Sequence, residues 1–285
     1  MKAMVAQLAG WIPGHKHAAA DLPGWLDGRL TGEDVDLVVL SELALSPYFP
    51  VSTDKKWLRQ GLSDGAEELA DYGALARKHT TYVALPFAEL DADGRLYNSV
   101  TLFGPDGAQV PCTRVSGPQA GSARLTYRKT HLSENRNTDP GVHEKYFFTP
   151  GDGLALWQTP MVGVAPLICY DRSFPEAWRV IADAGASIVV VPIATSRPER
   201  VEMLERELAV AANQNGVFAI AACKGGDEVI DDHRVTYSGG SFVVDPFGEV
   251  VGRAPPRDGD VSFVVEIDLG RIEAWHQSFH FRRDR

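Results

Sequence analysis

Apolar residues in this chain form two kinds of run. Ala3–Leu8, Asp36–Ser41 (DLVVLS), Val162–Ile168, Ser187–Pro192 (SIVVVP) and Val217–Cys223 are short, unbroken and of strand length. Runs without alternation are the pattern of strands covered on both faces. Other stretches repeat at three- and four-residue spacing. Within Ser63–Lys78 the residues Leu69, Tyr72, Leu75 and Ala76 recur in this way, with Ser63 as the expected N-cap. Pro175–Ala184 and Glu199–Asn215 read as helices too, Gly14–Leu30 carries a weaker helical pattern, and Asp268 is placed to cap a last short helix, Leu269–Trp275.

Turn signals divide what remains. Thr80–Phe87 and Tyr97–Phe103 read as strands separated by Asp91-Ala92-Asp93-Gly94. Ser241–Asp245 and Glu249–Val251 are joined by Pro246-Phe247-Gly248, and Val261–Asp268 is a further strand. Pro111–Arg124 is rich in Gly, Pro and Ser, has no period, and reads as a surface loop. Hairpins mark the first half and strand–helix alternation the second, which predicts an α/β fold with parallel strands under helices and mixed sheet edges. No repeat, linker or low-complexity tract divides the chain, so residues 1–285 read as a single domain.

Composition narrows the class. The 285 residues are 44% hydrophobic and 23% charged, an ordinary globular balance. A net charge of −10 argues against a nucleic-acid or anionic-membrane partner. Three scattered cysteines, Cys112, Cys169 and Cys223, with no CxxC, suit a reducing compartment. The first ten residues lack the pattern of a signal peptide, and the longest apolar runs fall short of a membrane span. The expectation is a soluble cytoplasmic protein.

Chemistry concentrates at strand ends, where catalytic groups on such sheets usually lie. Val162–Ile168 delivers Cys169 to a turn just ahead of the helix opened by Pro175-Glu176, and DLVVLS delivers Glu42. A thiol near free backbone N–H groups and the positive end of a helix dipole is favoured as thiolate. The plainer reading of a free cysteine is a small buried hydrophobe, and Cys112 and Cys223 are read so. With Lys129 the set gives a nucleophile, a carboxylate base and a cation. The Tyr170 backbone N–H adds a donor for a tetrahedral oxyanion. Acyl transfer by such a set requires neither metal nor organic cofactor.

Several segments resemble the nitrilase superfamily of carbon–nitrogen hydrolases. Asp36–Leu43 is similar to the family's strand ending in a glutamate, Tyr127-Arg128-Lys129-Thr130-His131-Leu132 to its lysine motif, and Ile168–Glu176 to its nucleophile motif. Glu144-Lys145-Tyr146-Phe147, Gly151-Asp152, Glu207–Asn215 and Tyr237–Ser241 leading to Asp245–Gly248 extend the likeness over almost the whole chain. The resemblance implies an α-β-β-α sandwich of two mixed sheets, paired in a homodimer or higher homo-oligomer. It implies Glu42 as general base, Lys129 as oxyanion stabiliser, Cys169 as nucleophile and Glu144 as a second glutamate positioning lysine and substrate. The Cys-Tyr-Asp sequence resembles amidase and N-carbamoyl amino acid amidohydrolase branches more than true nitrilases. There Arg172 would hold a substrate carboxylate, unless it ties the local turn to Asp171 or Glu176. His131 and His143 resemble histidines of that branch, and Tyr170 and Ala194 fall at substrate-facing positions. Ser173 stands where a second arginine is common, and Ala194 where an asparagine is expected. The expected partner is a small linear amide or N-carbamoyl compound. A nitrilase, an acyltransferase and a catalytically silent binding protein of the same fold are the alternatives.

Overall fold

The computed structural model describes residues 1–13, 21–63, 65–256, 259–281 and 284. Among these, the strands build two main sheets. The first runs Val261–Glu266, Lys2–Gln7, Leu37–Leu40, Tyr82–Leu90, Leu96–Phe103, Thr126–Arg128. The second runs Val250–Arg253, Phe242–Val244, Phe218–Cys223, Ala186–Ile193, Gly163–Pro166, Ala155–Gln158, Cys112–Arg114, Ala123–Arg124. Each has three parallel strands at its centre and antiparallel strands outside, the expected mixed arrangement.

Burial explains the unbroken apolar runs. Ala3, Val5, Leu37 and Val39 point into one core shared with Val164, Ile188, Val190 and Ile220 of the second sheet. Their neighbours Met4, Ala6, Val38 and Leu40 point the other way, into a second core with helices Leu22–Leu30 and Glu67–His79. Helices Pro175–Asp183 and Pro198–Asn215 cover the outer face of the second sheet through residues such as Trp178, Ile181, Leu204 and Leu208. The order is helix, sheet, sheet, helix. A third cluster, including Leu43, Tyr48, Phe49, Phe147, Phe148, Ile230 and Tyr237, closes the structure over the ends of the central strands.

Several local expectations change. The helix expected from Ser63 begins at Glu67, with Ala66 at the cap position and no side-chain cap bond; acidic Glu67 and Glu68 occupy its first turn instead. Of the weak pattern over Gly14–Leu30, Leu22–Leu30 is helical, with the Asp21 side chain accepting from the Gly24 N–H; residues 14–20 lie outside the described residues. Pro111–Arg124 is not simply a loop: Cys112–Arg114 and Ala123–Arg124 pair as an edge hairpin on Ala155–Gln158, with Arg114 tied to Asp152. The hairpin Gly225–Ile230/His233–Ser238 is a further element that the apolar pattern does not reveal. Among the described residues no helix is long and apolar enough to cross a membrane.

Candidate active site

Residues just past the ends of strands from both sheets come together in the interior. Glu42 lies two residues beyond Leu37–Leu40, and the chain leaves it through Leu43 in the left-handed region at φ 50°. Lys129 follows Thr126–Arg128 directly. Its backbone N–H donates to the Asn98 carbonyl (2.8 Å), and the Asn98 side-chain amide donates to Glu42 Oε1 (2.7 Å). One asparagine on the neighbouring strand therefore sets both residues. Glu144 opens a single helical turn, Glu144–Phe147.

Lys129 Nζ sits between the two carboxylates, 2.8 Å from Glu42 Oε1 and 2.6 Å from Glu144 Oε1, and all three side chains are fully buried. Every remaining oxygen has a donor. Glu42 Oε2 accepts the Ala194 N–H (2.9 Å), Glu144 Oε2 the Ser133 N–H (2.6 Å), and Glu144 Oε1 also the Tyr48 hydroxyl (2.8 Å). Charges this deep are tolerated only when paired and hydrogen-bonded, and this cluster meets both conditions.

Cys169 arrives from the second sheet. Strand Gly163–Pro166 ends, Leu167 N–H bonds the Val190 carbonyl (3.0 Å), and a tight 3-10 turn, Cys169–Ser173, leads into helix Pro175–Asp183. Cys169 has φ 45°, a conformation that costs a non-glycine residue about 1–3 kcal/mol and must be held by its surroundings. Asp171, fully buried, holds it. Its carboxylate accepts from Ile168 N–H (3.1 Å), the Tyr127 hydroxyl (2.7 Å), and both the backbone N–H and Nδ1 of His131 (2.8 Å each). The lysine segment and the cysteine turn are thereby stitched together across the two sheets.

The electrostatics of the thiol differ from the expectation drawn from the turn alone. Burial pushes the Cys169 thiol up to about 12; the Glu42 carboxylate adds to that, and Lys129 and Arg172 offset only part of it. A local helix terminus would favour the thiolate, but burial outweighs it and the Glu42 carboxylate from a distant segment adds to the rise, so the neutral thiol is favoured. Lys129 is the reverse case. Burial disfavours its charge, yet Glu144 and Glu42 together hold the ammonium well above the ordinary lysine range. Burial raises the Glu144 carboxyl, with Lys129 opposing and Glu42 reinforcing. Tyr48, pushed far up by burial and then by Glu144 and Glu42, remains a protonated donor.

The other candidates take varied places. Arg172 is buried and bonds neither Asp171 nor Glu176. Its Nη1 donates to the Cys169 carbonyl (2.6 Å) and lies 3.7 Å from the sulfur, while Nε faces Glu207 at 3.3 Å. Glu207 also holds Arg200, which reaches the Ser173 hydroxyl (2.7 Å). His131 stacks on Phe174 (3.8 Å between ring centres), and half-exposed Tyr170 meets the same ring edge-on. These three rings line a hollow of about 530 Å³ with Glu134, Lys145 and Phe148. Ala194 contributes its backbone, through the bond to Glu42. His143 is not brought into the carboxylate–lysine cluster; its Nδ1 faces Glu134 at 3.5 Å. Two residues that sequence reasoning passed over belong to the cluster: Asn98, the one amide of the buried strand Leu96–Phe103, and Tyr48, between Pro47 and Pro50.

A family model described as carbon-nitrogen hydrolase matches residues 18–277. An (R)-stereoselective amidase of Pseudomonas sp is 34% identical over 215 residues, 73% of this chain and 65% of the amidase, just under two thirds of its length. The N-carbamoylputrescine amidase of Arabidopsis thaliana is 30% identical over 262 residues, 88% of this chain and 81% of the plant protein. Among solved structures, a carbon–nitrogen hydrolase from Helicobacter pylori G27 superposes with a TM-score of 0.83 at 29% identity, covering 100% of this chain and 95% of that one.

Proposed function

The chain belongs to the carbon–nitrogen hydrolase family, and on that footing we propose that it is a cysteine amidohydrolase acting on a small linear amide or N-carbamoyl compound. The observation that carries the reading is one buried ammonium shared by two carboxylates beside a thiol whose neutral form is favoured. A neutral thiol cannot attack until a base takes its proton, and Glu42 is that base. As sulfur bonds to the carbonyl carbon, the proton moves to Glu42 and the developing oxyanion is met by Lys129 and the Tyr170 backbone N–H. Collapse expels ammonia or an amine, which takes the proton back from Glu42, and a thioester remains. Glu42 then accepts a proton from water as it attacks the thioester, and the thiol is regenerated. Glu144 keeps Lys129 charged and aimed throughout.

The hollow beside His131, Tyr170 and Phe174 combines aromatic rings with the polar side chains of Thr130, Glu134 and Lys145, and in this reading it receives the acyl or ureido group. A substrate carboxylate would have to draw the Arg172 guanidinium away from Glu207. The same reading includes a homodimer. The test is release of ammonia from a panel of linear amides, N-carbamoyl amines, N-carbamoyl amino acids and nitriles, alongside Cys169→Ala. Turnover of amides or carbamoyl compounds, abolished in a Cys169→Ala protein that remains folded, is the expected result. Retained turnover in that variant removes the mechanism, and turnover of nitriles alone removes the substrate class.

A further inference from the structure

A second buried ion pair lies next to the cluster and takes no part in the steps above. Lys224 Nζ is 3.0 Å from Glu228 Oε1, and both side chains are almost completely withdrawn from solvent. Such a pair adds little stability compared with apolar residues of the same size, so its presence calls for another reason. The bonds of Glu228 supply one. Oε1 accepts from Lys224 and from the Trp11 N–H (3.1 Å); Oε2 accepts from the Tyr237 hydroxyl (2.8 Å) and from the Tyr48 N–H (2.9 Å). Lys224 Nζ also reaches the Ser46 carbonyl (3.3 Å), on the same loop as Tyr48.

Tyr48 is therefore held at its backbone by one buried carboxylate and at its hydroxyl by another. The second is Glu144 Oε1, the very oxygen that receives Lys129 Nζ. Its ring is 4% exposed and packs edge-on against Tyr237 (6.4 Å, 77°). We propose that Tyr48 is a positioning residue for the lysine–carboxylate cluster, acting through Glu144, and that the Lys224–Glu228 pair exists to fix Tyr48. This rests on the amidohydrolase reading and deepens it.

The physical argument concerns how Lys129 divides its protons. The ammonium has three, and Glu42 and Glu144 take one each, leaving the third for the substrate oxygen. Glu144 stays at one because its lone pairs are already engaged by the Tyr48 hydroxyl and the Ser133 N–H. Without the hydroxyl, a lone pair in a dry pocket is left unmet, and Glu144 can turn further onto the ammonium. The groups facing Glu144 are Lys129, Glu42, Tyr48, the Ser133 N–H and, at longer range, the Cys169 thiol. Of these, Lys129, Tyr48 and the Ser133 N–H donate to its charged form, so removing Tyr48's donor raises the carboxyl further.

Tyr48→Phe, Tyr237→Phe and the double variant test this, with kcat, KM and the pH profile of kcat/KM measured per alkylatable Cys169. Loss of a hydrogen bond to a charged group is expected to lower kcat about 10- to 100-fold in Tyr48→Phe with KM within about threefold. The acid limb of the profile moves to higher pH. Tyr237→Phe loosens Glu228 alone and lowers kcat about threefold, and the double variant is no slower than Tyr48→Phe. An unmoved acid limb, a loss confined to melting temperature, or fully multiplicative losses in the double variant overturns the proposal. If Tyr48→Phe does not fold, Tyr237→Phe decides: unchanged kcat and acid limb overturn it. The wild-type chain and Cys169→Ala run in parallel. A wild-type chain silent on every amide refutes the amidohydrolase reading, and the pH at which iodoacetamide labels Cys169 then decides the positioning role, since only Tyr48→Phe acting through Glu144 shifts it.

Discussion

Replacing Lys129 by methionine keeps the length of the side chain and removes its charge. Glu42 Oε1 and Glu144 Oε1 both contact the same ammonium, so they lie roughly 5 Å apart, where two unit charges at an effective dielectric near 20 repel by about 3 kcal/mol. Removing one partner of a buried ion pair typically costs about 3–5 kcal/mol, a large part of the roughly 5–15 kcal/mol by which domains are stable. The variant relieves the strain by protonating a carboxylate, and Glu144, already raised from 4.5 by burial, is the group that does so. A carboxyl raised in the folded state gives its full stability below the unfolded value and loses it as the pH rises through the folded value. Urea unfolding of Lys129→Met against the wild type is thus expected to show a deficit of about 3–5 kcal/mol at pH 8 that shrinks by more than half at pH 5. A deficit below about 1 kcal/mol at pH 8, or one equal at the two pH values, would refute the account of a single cation neutralising two buried carboxylates.

Two further outcomes follow from groups elsewhere in the chain. Burial raises all three thiols, Cys112 to about 11 and Cys169 and Cys223 to about 12, so an unfolded chain releases their protons first. Stability is complete below about pH 9 and declines from there toward pH 11–12; a urea midpoint that stays flat between pH 8 and 10.5 contradicts this. Gly216 ends helix Pro198–Asn215 at φ 66°, and a Cβ there would stand 2.4 Å from the Trp275 ring, whereas Gly32 at φ 84° has open space around it. Gly216→Ala is expected to cost about 2–4 kcal/mol and Gly32→Ala about 1 kcal/mol, and equal losses in thermal unfolding would mean the tryptophan gives way freely.

The strands that meet at the site were readable because each is buried on both faces, which leaves an unbroken apolar run and marks where it stops. Glu42 and Cys169 stand out in sequence for that reason, being the first chemically active residues past DLVVLS and Val162–Ile168. Asn98 and Tyr48 carry no such mark. Nothing adjacent in the chain distinguishes Asn98 from Ser99 and Thr101 on the same strand or Tyr48 from other aromatic residues, and only a partner 56 or 96 positions away gives each its meaning. The same distance effect misleads the reading of the thiol: the helix that follows Cys169 is visible locally, but the burial that raises the thiol, and the Glu42 carboxylate that adds to it, come from distant segments. The edge strands Cys112–Arg114 and Ala123–Arg124 were hidden by length, since three- and two-residue strands exist only through what they pair with. The start of helix Glu67–His79 moved because Ser63, although a good capping residue by type, makes no cap bond there.

The sulfur belongs to one sheet and the carboxylate and ammonium to the other, joined through Ala194 N–H to Glu42 and His131 to Asp171. Neither layer by itself contains the whole set, and slippage between them takes the Tyr127 and His131 donors away from the buried Asp171 carboxylate and the Ala194 N–H away from Glu42. A rise in cysteine labelling during denaturation should therefore coincide with the main cooperative transition and not precede it, which makes the thiol a built-in gauge of whether the two layers remain docked.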